Sequence, residues 1–484
     1  MRIDPIPARR PYLSPAARDN IAAVAQEILA EERGLGDVSV FGPEVHCGIG
    51  DGPAVLFGDA SEIALLSELG GARHDYRLGW LADSGDAVVI GCHPCEAFEA
   101  YQRSVLDQPG IRYLHMNAPK RRLEQPAPIL CLRDRHCFDA IAELARSSGG
   151  LTVVAHIVTG TIWALAARLR QEAGVPIFVA GPPPRLGRAT NDKLWFGATV
   201  RRLLGNTATP EKRAAHSLSA LTRHVSDLLP KWQKLVVKVP DSAGGLGQFV
   251  LVTEPLRRLG VRGLYDFLNS KLLEYAPHRR FPVAVEVWDA NVVASPSVQV
   301  WIPLSSQGTP VIEGVYEQLL ASDNLTFRGA TTATLPPAID AALAEGAMIL
   351  SMAFQALGYF GRCSFDAVVT GPDPARGSIH WIECHGGWGG VSIPMSLLNR
   401  LCHGQPPPPN VILQEHDIRF RPMAFSEALA RLSDRLDTET AGRRVILLSP
   451  EPFESGRGMR LLATGGSGDD ALARARQALD VFED

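Results

Sequence analysis

The chain predicts an α/β domain, a larger α+β domain and a small C-terminal α/β segment. Three observations carry that reading. Short, near-continuous apolar runs alternate with helix-period segments as far as GPPPRLG at 181–187, the texture of a parallel sheet covered on both faces. From 188 onward longer strand pairs appear, such as 363–370 with 378–384, which marks a largely antiparallel α+β domain. QPPPPN at 405–410 then reads as a stiff, extended linker. The predicted domains are 1–187, 188–404 and 405–484.

The elements follow in order. In the first domain strands are expected at VSVF (38), AVLFG (54), AVVIG (87), IRYLH (111), PILCL (128), LTVVAHIV (151) and VPIFVAG (175), with helices from 136 and 160. TNDKLWFGATVRRLLG opens the second domain as a helix capped by Thr190, Asn191 or Asp192. EKRAAHSLSALTRHVSDLL reads as a second helix. Strands at 234–240 and 248–253, a helix at 262–275, strands at 282–288 and 297–304, and a helix at 337–357 lead to the closing strand pair. The tail reads as a helix near 425–435, strands at 443–449 and 459–463, and a helix from 469.

Composition narrows the function. With 484 residues the chain exceeds one ordinary core, and 46% hydrophobic with 21% charged residues is a globular balance. A net charge of −4 without a basic block argues against nucleic acid as a partner. MRIDPIPARRPYLSP has no apolar core of a secretory signal, and no run approaches the ~18 apolar residues of a bilayer span, so the expectation is a cytoplasmic protein without a membrane partner. The eight cysteines are expected as free thiols. Cys92-His93-Pro94-Cys95 has redox or zinc spacing, but no second pair follows at regular spacing, and buried thiols are the preferred reading.

Two constellations carry chemistry. In KLVVKVPDSAGGLGQFVLV (234–252), Lys238 stands at the end of an apolar strand beside a glycine loop, Ser242 to Gly247. Such a loop lets backbone N–H groups approach a ligand, and with the lysine it makes a phosphate cradle; the alternative is a tight hairpin with a snorkelling lysine. Lys193, in the first turn of its helix, is either a second phosphate contact or a solvated lysine.

In GRCSFDAVVTGPDPARGSIHWIECHGGWGG (361–390) two strands flank a turn, so Asp366 and Glu383 fall opposite each other if they pair as a hairpin. Facing carboxylates repel, and a divalent cation turns that repulsion into binding. Strand alternation returns His385 to the face of Glu383. The alternative is that one acid points to solvent.

The order of these parts resembles the ATP-grasp superfamily over roughly 188–400, and the wording VAVEVWDANVVASPSVQVWIP and IHWIECHGGWGGVSIPMSLLNRL looks most like the members with a preceding pre-ATP-grasp domain, the pheganomycin-type peptide ligases. The resemblance implies a Rossmann-like pre-ATP-grasp domain followed by an ATP-grasp domain of two α+β lobes. It implies ATP with magnesium as cofactors, manganese being the alternative. Lys193 and Lys238 would touch phosphates under a lid containing Ser242, Ala243, Gly244, Gly245 and Gly247. Glu286, Val287 and Trp288 would line the adenine hinge; Asp366, Glu383 and His385 would hold the metal; Arg362 would meet an acyl phosphate.

The reaction implied is carboxylate–amine ligation, with small-molecule acid and amine substrates (amino acids or peptides) and a homodimer as the default assembly. Where the superfamily has Glu-x-Asn-x-Arg, this chain has Glu383-Cys384-His385-Gly386-Gly387. Imidazole suits softer metals than an amide does, and the arginine is missing. A nucleotide-binding regulatory homologue without turnover, or a small-molecule kinase, are the competing readings.

Overall fold

The computed structural model describes residues 9–63, 74–91, 93–117, 125–240, 242, 247–275, 281–321, 326–436 and 444–482. The first sheet contains β1 (Val45–Cys47), β2 (Ala54–Phe57), β3 (Ala87–Ile90), β4 (Arg112–His115), β5 (Leu151–Ala155) and β6 (Ile177–Val179). Its order is β1-β6-β5-β2-β3-β4, and every pairing is parallel. β2, β3 and β5 are buried along their whole length, as strands covered by helices on both faces must be. Two apolar runs expected as strands are helical. VSVF contains a single 3-10 turn, Ser39–Phe41. PILCL lies in the helix Ala127–Arg133, whose first turn carries Pro128; a proline is tolerated there and not in a buried parallel strand.

The second sheet contains β7 (Lys212–Ala215), β8 (Lys234–Lys238), β9 (Gln248–Val252) and β10 (Val283–Val287), in the order β7-β10-β8-β9. β7 corrects the helix expected over EKRAAHSLSALTRHVSDLL. Ser217 caps a helix that begins only at Leu218, its hydroxyl accepting from the Ala220 amide, and Lys212–Ala215 pair antiparallel with β10. Helices Leu218–Leu228 and Val261–Tyr275 cover this sheet through Leu221, Val225, Leu264 and Leu268.

The third sheet contains β11 (Val292–Ala294), β12 (Pro296–Ile302), β13 (Val311–Leu320), β14 (Phe327–Thr332), β15 (Gly361–Thr370), β16 (Ser378–His385), β17 (Asn410–Arg419), β18 (Val445–Leu447) and β19 (Arg457–Thr464). Its order is β11-β15-β12-β13-β14-β17-β19-β18, with β16 paired to β15. β17 pairs antiparallel with β14, so the chain beyond the proline stretch continues the sheet of the preceding domain. The helix Pro337–Ala356 has the length and hydropathy of a bilayer span, contrary to the expectation that no segment would. It packs in the core through Leu343, Ala347, Leu350 and Phe354.

Candidate functional site

The candidate side chains lie on the second sheet, on the third sheet and at the start of the helix Lys193–Leu204. Lys238 ends β8 and is buried. Its cross-strand neighbour is Ala284, with Glu286 two residues further along β10, a diagonal distance that long side chains bridge. Lys238 Nζ lies 3.1 Å from Glu286 Oε1. On the other side of β10, Lys212 stands directly opposite Glu286 and its Nζ is 2.9 Å from Oε2. One carboxylate therefore serves two ammonium groups on three adjacent strands. Burial pushes the Glu286 pKa up, but Lys212 and Lys238 outweigh it and hold the group below the usual carboxylate range. Burial lowers the Lys212 pKa, with Glu286 opposing.

Lys193 begins the helix Lys193–Leu204, capped by Asp192, whose Oδ1 accepts from the amides of Leu194 and Trp195 at 2.7 and 3.1 Å. The lysine is buried, donates to the Ser242 carbonyl at 2.5 Å and lies 2.7 Å from Glu383 Oε2. Lys212 Nζ donates to the Lys193 carbonyl at 3.1 Å. Gly247 has φ +64 and its carbonyl accepts from Val239 N at 2.8 Å, closing the loop mouth. Ala243, Gly244 and Gly245 lie outside the described residues.

On the third sheet, Asp366 on β15 pairs in register with Glu383 on β16. The hairpin registers Thr370 with Ser378 and Ala367 with Trp381, then shifts between Ala367 and Asp366. Ile382 is the extra residue of a β-bulge, the device by which strands re-aim side chains. His385 follows on the same side: its Nε2 is 3.2 Å from Asp366 Oδ2 and 3.6 Å from Glu383 Oε1. Candidate ligand atoms of Asp366, Glu383 and His385 all lie within 4.8 Å of one another. Ser297 Oγ donates to Asp366 Oδ1 at 2.6 Å and Gln299 Nε2 donates to that hydroxyl at 2.9 Å, which orients the acid. Two carboxylates and an imidazole so disposed fit a divalent cation.

Without a cation, the acids are neutralised from within. Burial pushes Glu383 up, but Lys193, His385 and Lys238 bring its pKa down to about 2. Burial pushes His385 down, but Asp366 and then Glu383 raise it to about 9, so its imidazolium sits between the two acids.

The remaining predicted residues are placed as follows. Val287 and Trp288 lie where the chain crosses from the second sheet to the third; their amides donate to the Glu211 and Lys234 carbonyls at 2.9 and 3.2 Å. Glu286 points its carboxylate at the two lysines. Arg362 is not brought to the acid cluster. It is buried, paired with Glu313 and 3.3 Å from Ser396 Oγ. The rings of Trp388 and Trp301 cover it at 4.9 and 5.6 Å, and burial lowers its pKa to about 9. Gly387 has φ +153, and a Cβ there would stand 2.6 Å from the His156 carbonyl oxygen. The backbone path itself excludes an arginine at this position.

Sequence reasoning missed Lys212, Ser297 and Gln299. The signal for Lys212 was Ser217, whose capping position ends the strand and starts the helix.

This is an α/β chain with a parallel N-terminal sheet and antiparallel sheets behind it, the architecture of a pre-ATP-grasp domain followed by an ATP-grasp domain. The family model of the Pre ATP-grasp domain matches residues 75–171. No curated protein matches the sequence. Among solved structures, the fold is similar to the ADP complex of purK, N5-carboxyaminoimidazole ribonucleotide synthetase, at TM-score 0.54 and 15% identity over 90% of this chain and 98% of that one. It is similar at TM-score 0.52 and 13% identity to the biotin carboxylase domain of Hydrogenobacter thermophilus 2-oxoglutarate carboxylase with MgADP, ADP and bicarbonate, over 89% of this chain and 90% of that one. Biotin carboxylase of Campylobacter jejuni in its β-γ-ATP complex has the same score and identity, over 89% and 91%.

Proposed function

We propose that the protein is an ATP-dependent carboxylate–amine ligase that joins two small molecules through an acyl phosphate and releases ADP and phosphate. The observation that carries the reading is the gathering of two lysines at the acids: Lys193 pairs with Glu383, Lys238 acts on that carboxylate, and Asp366, Glu383 and His385 cluster together. Nucleotide-bound structures of the same fold support it. In this reading Lys193 turns from Glu383 to a phosphate, which frees Glu383 to hold a magnesium or manganese ion with Asp366 and His385. That cation supplies charge neutralisation during phosphoryl transfer, and the lysines supply positioning. The hinge residues Glu286 to Trp288 border the adenine, and the loop from Ser242 to Gly247 covers the phosphates.

Arg362, held by Glu313, shapes the pocket wall in this reading and meets phosphate only by giving up that partner. The test is incubation with ATP, magnesium and acid–amine pairs: ADP and phosphate should form only with both substrates present. A peptide ligase would accept amino acids or peptides. If folded protein binds ATP in a Lys238-dependent manner but never turns it over with any pair, the reading fails in favour of a second one. That second reading, a nucleotide-binding homologue without turnover, is favoured by His385 between the acids and by Gly387 against the His156 carbonyl.

A further inference from the structure

We propose that Arg77, with Arg460 beside it, binds an anionic group of the substrate, a carboxylate or a phosphate, where the N-terminal domain meets the end of the third sheet. The proposal deepens the ligase reading and rests on it for the word substrate; the anion site does not depend on it. Arg77 lies in the short helix Asp75–Leu78 and is 5% exposed. Its guanidinium makes no hydrogen bond or ion pair among the described residues. A buried guanidinium without a hydrogen-bonded partner is costly, and proteins keep such an arrangement where something else completes it.

The geometry points toward the site. Arg77 Nη2 and Gln414 Oε1 each lie 3.7 Å from where a Cβ on Gly390 would stand. The guanidinium thus borders the loop that leaves His385. Gln414 on β17 pairs in register with Arg460 on β19, which brings a second guanidinium to the same place. Arg460 is bonded to Ser449 Oγ at 3.2 Å and lies 3.7 Å from Glu451 Oε2. Glu451, whose two carboxylate oxygens are buried without a hydrogen bond, acts on Arg77 only at a distance, opposing burial and Arg460. His156, on the same side, is buried with Nδ1 unpartnered. Burial, then Arg77 and His385, push its pKa down to about 3, so it is neutral. Arg77 itself, lowered by burial to about 9, remains charged at neutral pH. A planar fork of donors with nothing to donate to matches a carboxylate or phosphate oxygen pair.

The experiment titrates inorganic phosphate and, separately, succinate into nucleotide-free protein and reads the melting temperature. Wild type and Lys238→Ala should both rise with one of the anions; phosphate alone indicates a phosphorylated substrate, succinate a carboxylate one. Arg77→Met should lose the response, its apparent anion affinity falling at least ~10-fold, and should itself melt no lower than wild type. Failure of Arg77→Met to fold, or a lower melting point, identifies a structural arginine and overturns the proposal. Arg77→Lys, which keeps a charge without the fork, should respond weakly; an undiminished response overturns it. A response lost in Lys238→Ala but kept in Arg77→Met puts the anion in the nucleotide cleft and sinks this proposal alone. An intact Arg77-dependent response in protein that binds no ATP sinks the ligase reading alone. A wild type indifferent to both anions overturns the proposal outright.

Discussion

Replacing Lys212 with methionine keeps the aliphatic stem and removes the ammonium from a place where solvent cannot stand in for it. The side chains of Lys212 and Glu286 are 1% and 2% exposed. Removing one partner of a buried pair costs about 3–5 kcal/mol when the survivor is abandoned. Here Lys238 stays 3.1 Å from the other oxygen of Glu286, so the carboxylate keeps a counter-ion. The loss reduces to the charged bond and the bond to the Lys193 carbonyl, about 2–3 kcal/mol. Glu286→Gln is the harsher change. It leaves two buried ammonium groups facing each other, and the full ~3–5 kcal/mol is expected. The double mutant should be better than the sum of the singles by at least ~1 kcal/mol, because the charges share one network.

Scanning calorimetry is the suitable assay, since a chain of several domains does not unfold in one step. At ~2–4 °C per kcal/mol for a domain of ~150–250 residues, Lys212→Met should lower its transition by about 4–12 °C. A shift under ~1 °C, or strictly additive singles, would refute a shared carboxylate.

Four other outcomes follow from the same geometry. The folded-state pKa of His385, raised to about 9 from 6.5, means its stabilisation is fully present below pH 6.5 and disappears as pH climbs to 9. The melting-point gap between wild type and His385→Gln should shrink over that window, and a constant gap would contradict the pairing with Asp366 and Glu383. Cation binding at these residues requires the His385 proton to leave, so affinity for magnesium or manganese, measured by calorimetric titration, should strengthen over the same range. Gly387→Ala should destabilise by about 1–3 kcal/mol through contact with the His156 carbonyl, visible as a lowered melting point; an unchanged one would mean the loop yields freely. Arg362→Met should cost about 3–5 kcal/mol in the same assay, because Glu313 is left buried without its partner.

What the sequence made legible follows from what local patterns encode. The β8–β9 hairpin, a helix cap within 190–192 and the facing acids were readable because each is set by spacing within one stretch of chain. The opposition of Asp366 and Glu383 was foreseen from the hairpin, but the bulge at Ile382 was not, since nothing about an isoleucine announces an extra residue. Lys212 was hidden because EKRAAHSLSAL fits a helical period, and only pairing with a strand some 70 residues later makes it β. The partner of Lys238 was hidden for a related reason: only the register of three strands brings the Glu286 carboxylate to two lysines. Arg77 was illegible altogether, because a charged residue in an aperiodic segment looks solvated until three parts of the chain close around it.

The pairing of β17 with β14 gives the proline stretch an unexpected meaning. It looks like a place to divide the chain, yet it is a bridge inside a single sheet. Cutting there would leave β14 with a bare hydrogen-bonding edge and orphan the paired strands β17, β19 and β18, and both edges invite adhesion to other copies. During synthesis, too, β14 must wait for residues about 80 positions further on to emerge before its edge is covered.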